Sequence, residues 1–137
     1  MDAISEIKIL PNVRLLNQAM SEPLLSQDNL RVEFQIRGEI IGKITCYLCL
    51  DGHELSQTEK NFIFPLFVES MNILIGKQIS YDKSLKNFKI NLSPPKISML
   101  PSSLKTHESK NIQSYNLELD GISFKILSDY QLGVIGQ

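Results

Sequence analysis

The chain has 137 residues, 42% of them hydrophobic and 21% charged, enough to bury a core of its own and within the usual size of one domain. Fourteen basic against fifteen acidic residues leave a formal charge of −1, and no Lys/Arg run of the kind that neutralises phosphates occurs, so nucleic acid is not an expected partner. The first residues are acidic where a secretory signal carries base, and no apolar run approaches the roughly 20 residues of a membrane span, which predicts a cytoplasmic protein with no membrane partner.

From Pro11 to about Leu25, the residues Val13, Leu15, Leu16, Ala19 and Met20 recur at helical spacing, and Pro11 suits a first turn. A first helix is predicted there. Next, Leu30, Val32, Phe34 and Ile36 alternate with Arg31, Glu33, Gln35 and Arg37, the two-residue period of a strand with one wet face. Gly38 and Gly42 bracket a predicted turn. Ile44 to Leu50 is then a more apolar strand that stops at the turn dipeptide Asp51-Gly52, and the two strands are expected to pair.

The second of these strands contains Cys46 and Cys49, a C-x-x-C spacing that zinc or redox chemistry also uses. On a strand an odd separation points the two side chains to opposite faces. No second cysteine pair follows, and His53 and His107 stand in polar stretches without ligand spacing. Two buried thiols and two solvated loop histidines are therefore expected, and no metal site.

Ser56-Gln57-Thr58-Glu59 is a capping box just ahead of a long apolar segment, and it predicts the start of a central helix. Pro65 lacks the N–H that would bond the carbonyl of Asn61, so a kink, or a new helix beginning near Pro65, is expected. At about 100° per residue, Asn61, Pro65, Glu69, Asn72, Gly76 and Ser80 share one narrow arc. Phe64, Phe67, Val68, Met71, Leu74 and Ile75 fill the opposite arc. A carboxylate and a carboxamide at i and i+3, Glu69 and Asn72, therefore project side by side. Phe62, Leu66 and Ile73 border them, so the pair sits between apolar lips, which suits a docking surface. A plain solvated stripe, with the three apolar neighbours in the core, accounts for the same pattern.

After the helix, Phe88 to Leu92 reads as a short strand, followed by Ser93-Pro94-Pro95 and a second apolar stretch around Ile97 and Met99. Pro101 to Lys110 is a polar loop. Tyr115, Leu117 and Leu119 alternate up to Asp120-Gly121, and Ile122, Phe124 and Ile126 resume the alternation beyond it, the pattern of a hairpin with a type I′ turn. Ser128 to Gln137 is left either to add an edge strand or to fray. The sum is an α+β domain over residues 1–137, a largely antiparallel sheet with helices packed on one face.

Three pieces of the chain, taken in order, carry a resemblance. Gly38-Glu39-Ile40-Ile41-Gly42 leads into an apolar strand, Glu69-Ser70-Met71-Asn72 runs to Gly76 on a helix, and Leu92-Ser93-Pro94-Pro95 closes a strand. This succession resembles the CheX members of the CheC/CheX/FliY chemotaxis phosphatase family across nearly the whole chain. A single Glu-x-x-Asn is similar to CheX, whereas CheC-type chains carry two.

The resemblance implies a CheC/CheX-like fold and hydrolysis of the aspartyl phosphate on a CheY-type response regulator. In that family the carboxylate, here Glu69, pairs with a lysine of the regulator, and the amide, here Asn72, holds a water in line with phosphorus. It implies no cofactor in this chain, Mg²⁺ on the regulator, and a homodimer, for which the C-terminal strands are expected to supply an open edge. Pro65, Leu66, Ile73 and Gly76 fall where the partner would dock. The family's helix usually has Ser or Asp four residues before the glutamate, where this chain has Pro65. Three classes stay open: the phosphatase, a silent module that binds a response regulator or flagellar switch component, and a structural assembly subunit.

Overall fold

A computed structural model of the chain describes residues 7–18, 29–50, 54–81, 87–100 and 112–134. In chain order the elements are β1 (Ile7–Leu10), β2 (Val13–Gln18), β3 (Asn29–Gly38), β4 (Ile40–Cys49), α1 (Gln57–Tyr81), β5 (Ile90–Leu92), β6 (Lys96–Leu100), β7 (Ile112–Leu119) and β8 (Ile122–Val134). All eight strands join one curled sheet in the order β1-β2-β7-β8-β4-β3-β5, with β6 also on β3, and every pairing is antiparallel. The helix α1 packs on one face, so the fold is α+β as expected, with one helix among the described residues where two were predicted.

The first predicted helix is a strand. Pro11 and Asn12 form the turn between β1 and β2 instead of opening a helix, and Val13 to Gln18 pairs with β1 on one side and β7 on the other. A short Val-Arg-Leu-Leu run fits either period, and pairing with β7, which places Val13 opposite Leu119, decided the outcome. Residues 19–25 of that expectation lie outside the described residues, as do Asp51-Gly52, His53, His107 and the loop 101–110.

Local signals elsewhere translated directly. Alternation on β3 buries Leu30, Val32, Phe34 and Ile36 and leaves the intervening residues wetter. At the β7–β8 turn, Asp120 and Gly121 both have positive φ, 51° and 86°, as a type I′ turn requires. The turn between β3 and β4 is tighter than predicted. It turns at Gly38 and Glu39, and Gly42 already pairs with Ile36. Gly38 has φ 121°, and a Cβ there would lie 2.3 Å from the Lys89 carbonyl oxygen, so only glycine lets the turn close on the start of β5. Beside it the Glu39 N–H donates to that same carbonyl at 3.0 Å, and the Lys89 N–H donates to the Glu39 carboxylate at 2.7 Å.

The C-terminal segment from Ser128 onward continues β8 to Val134, with Val134 opposite Ile40 of β4. Up to Asp129 β8 lies between β7 and β4 and offers no edge, whereas Tyr130 to Val134 pair with β4 alone among the described residues. The outer strands are β1 at one side and β5 with β6 at the other.

The two cysteines lie on opposite faces of β4, both buried and neither in a disulfide. Burial pushes the Cys46 thiol up to about 12, with a hydrogen bond to Ser128 pulling weakly the other way, so Cys46 carries no thiolate at neutral pH.

The capping box forms as drawn. The Glu59 N–H donates to Ser56 Oγ at 3.1 Å, and the Ser56 N–H donates to the Glu59 carboxylate at 3.0 Å. From there α1 is continuous through Pro65, neither ending nor restarting there. Asn61 and Pro65 are both exposed, so the carbonyl that Pro65 leaves without a donor lies on the solvent side, where water can serve it. Ile63, Phe67, Ser70, Met71 and Ile75 form the buried stripe, and Ser70 Oγ meets its need for a partner by donating to the Leu66 carbonyl at 2.6 Å. At 25 residues α1 is long and apolar enough to cross a membrane, contrary to the sequence expectation, yet here its apolar stripe is spent on the sheet.

Candidate functional site

Opposite the buried stripe, Pro65, Glu69 and Asn72 are exposed on one side of α1. They stand along a groove of about 440 Å³, whose helix side is completed by the half-buried Phe64 and Val68. Leu30 of β3 and Pro95 and Ile97, at the entry to and within β6, form the other side. Glu69 is the one charged residue among those lining it. Neither Glu69 nor Asn72 has a side-chain hydrogen bond or ion pair with another described residue, so among these residues both heads keep their bonding capacity.

The sheet side owes its shape to an irregularity in β3 pairing. Leu92 lies opposite Ile36 and Lys96 opposite Glu33, so Phe34 and Gln35 face the three residues Ser93, Pro94 and Pro95. Prolines cannot donate to a ladder and are tolerated at such a bulge on an outer strand. Ser93 pins the bulge: its N–H donates to the Gln35 carbonyl and its Oγ accepts from the Gln35 N–H, each at 2.9 Å. Pro95 is thereby held facing α1, and Ile97, opposite Val32, follows it with 54% of its surface exposed.

The sequence placed Phe64 and Val68 on the arc opposite Glu69 and Asn72. They are half-buried at the margin of the buried stripe, and their outer surface lines the groove. Leu66 and Ile73 are half-buried on the other flank of the polar pair and do not line it, and Phe62 on that flank is 50% exposed. Gly76, one turn beyond Asn72, is partly exposed, and a Cβ added there would meet nothing within 4 Å. Sequence reasoning missed Leu30, Phe64, Val68, Pro95 and Ile97 as groove residues. Only the Ser93-Pro94-Pro95 break gave a signal that the chain does something special there.

Chemically the site pairs an ionisable acceptor with an amide that both donates and accepts, at the rim of an apolar recess. It can bind a cation and orient a water or a small polar group.

No family model matches the sequence, and no curated protein matches it significantly. Solved structures do resemble it. A chain of the CheX-CheY-BeF3-Mg²⁺ complex from Borrelia burgdorferi superposes with a TM-score of 0.50 at 15% identity, over 90% of this chain and 86% of that one. FliY from Thermotoga maritima superposes with a TM-score of 0.52 at 16% identity, over 90% of this chain and 76% of that one. The chain has a CheX/FliY-type fold. At this identity the likeness lies in the superposed backbone and shows the fold alone.

Proposed function

We propose that this chain is a phosphatase of the CheX kind, which hydrolyses the aspartyl phosphate of a CheY-type response regulator. The observation that carries this reading is the joint placement of Glu69 and Asn72, both exposed, on one side of α1 at the rim of one groove. Asn72 orients the attacking water, since an amide can donate to and accept from it without competing as a nucleophile. Glu69 pairs with a lysine of the regulator and sets the register of the two proteins. The rate gain comes from positioning and electrostatics, and Mg²⁺ belongs to the regulator's own phosphate site. On this reading Pro65, Leu66, Ile73 and Gly76 frame the docking surface, and the protein works in the cytoplasm. It pairs with a second copy, for which β1, outermost among the described strands, offers an edge.

One observation favours a second reading. Pro65 stands one helical turn before Glu69, where the related helices usually carry Ser or Asp, and its ring can neither donate nor accept. A module that binds a regulator or a flagellar switch component without catalysis keeps the groove and loses only the chemistry.

The decay of a phosphorylated CheY-type regulator separates the two. Wild-type chain shortens the lifetime of the phosphate, and Glu69→Ala and Asn72→Ala abolish the acceleration, with Asn72→Ala still binding the regulator. Equal decay with and without wild-type chain refutes the phosphatase, and retained binding then supports the silent module.

A further inference from the structure

The groove has more apolar surface than the proposed chemistry uses. An acyl phosphate, a lysine and a water engage Glu69 and Asn72, yet the recess beside them is walled by Phe64, Val68, Leu30, Pro95 and Ile97. Ile97 leaves 54% of its surface in water on an outer strand, and no packing within the described residues accounts for that exposure. Ser93 fastens the segment before it to β3, so the wall is preformed and costs little to order when something binds. A partner that brings an acyl phosphate to Asn72 comes up beside this recess, because the amide stands on its rim.

We propose that this groove selects the regulator, by receiving an apolar side chain that the regulator carries beside its phosphorylated aspartate, with Ile97 and Pro95 as specificity-determining residues. This inference rests on the phosphatase reading above. A regulator presenting a charged or polar side chain at that point would bury it against an apolar wall without a partner and be rejected. One presenting a cation to Glu69 and an apolar group to Ile97 satisfies both parts of the site at once, which places discrimination in binding and leaves the hydrolytic step to Asn72.

The test measures dephosphorylation at varied concentrations of phosphorylated regulator for wild type, Ile97→Ser and Ile41→Ser. Ile41 is a comparably exposed isoleucine, 48% in water, on β4 and away from the groove. Ile97→Ser raises KM roughly tenfold with little change in kcat, and Ile41→Ser changes neither. Unchanged KM in Ile97→Ser, or an equal rise in Ile41→Ser, overturns the proposal. If wild type does not accelerate decay, the catalytic reading has failed, and calorimetric binding of the beryllofluoride- and Mg²⁺-loaded regulator decides the groove's role alone. Weaker binding by Ile97→Ser then supports selection at the groove, and unchanged or undetectable wild-type binding overturns it. Conversion of a dimer into monomers by Ile97→Ser also overturns it, because the groove would then hold a second copy of the chain.

Discussion

The two sides of α1 divide the labour of the molecule. One side, Ile63, Phe67, Met71 and Ile75, is buried in the core formed with the sheet; the other, Pro65, Glu69, Asn72 and Gly76, touches little of the chain and faces outward. The first side has every interaction satisfied internally, and the second leaves a carboxylate and an amide with their capacity unspent. Stability and activity should therefore respond to different residues only one or two positions apart, and substitutions on each side test how complete that separation is.

The largest effect belongs to the buried side. Phe67 is fully buried, and Phe67→Ala removes its ring from the centre of the contact between α1 and the sheet. A loss of about 3–5 kcal/mol is expected in urea unfolding. Where the variant is still folded, regulator dephosphorylation per folded molecule should stay near wild type. A loss of activity in excess of the unfolded fraction would show that the core face also holds Glu69 and Asn72 in register, and the separation would fail.

A smaller effect comes from the helix start, which belongs to neither side. Ser56→Ala removes the hydroxyl that accepts from the Glu59 N–H and should cost about 1 kcal/mol. The Ser56 backbone N–H, and after it the Ser56 hydroxyl, hold the Glu59 carboxyl below its ordinary value. The sign follows from the lowered value: this contribution is present above the ordinary glutamate range and disappears as pH falls through the folded value. Thermal unfolding followed from neutral to acid pH should show the gap between Ser56→Ala and wild type narrowing toward low pH. A gap independent of pH would mean that the Ser56 hydroxyl does not act on the Glu59 carboxylate, since both proteins keep the bond from the Ser56 backbone N–H.

What was legible in the sequence is what short-range physics decides. The capping box, the alternation of β3 and the Asp120-Gly121 turn each depend on neighbours a few positions away, and each formed as read. The strand β2 was not legible, because its partner β7 lies about a hundred positions further along and Val13-Arg14-Leu15-Leu16 fits two periods equally. The groove failed to show for the same reason. Glu69 and Asn72 can be placed on a common face from helical spacing, but the wall opposite them comes from Pro95 and Ile97, brought there by pairing of β6 with β3. A helical wheel gives the polar pair two apolar flanks, Leu66 with Ile73 and Phe64 with Val68. Which flank meets the sheet edge depends on how α1 lies across the strands, and no local pattern encodes that.

Gly76 tests the boundary between the two sides most finely. Glycine inside a helix costs about 0.8–1.0 kcal/mol against alanine, and a Cβ at position 76 meets nothing within 4 Å, so the fold gives no reason for its presence. Gly76→Ala should raise the melting temperature by a few degrees. If the open space one turn beyond Asn72 is clearance for the backbone of a docked regulator, the same variant should bind that regulator more weakly while being the more stable protein. Opposite signs in the two measurements are the signature of a residue kept for a partner. A variant both more stable and equally effective at binding would place Gly76 outside the docking surface, and would leave the outward side of α1 to Pro65, Glu69 and Asn72.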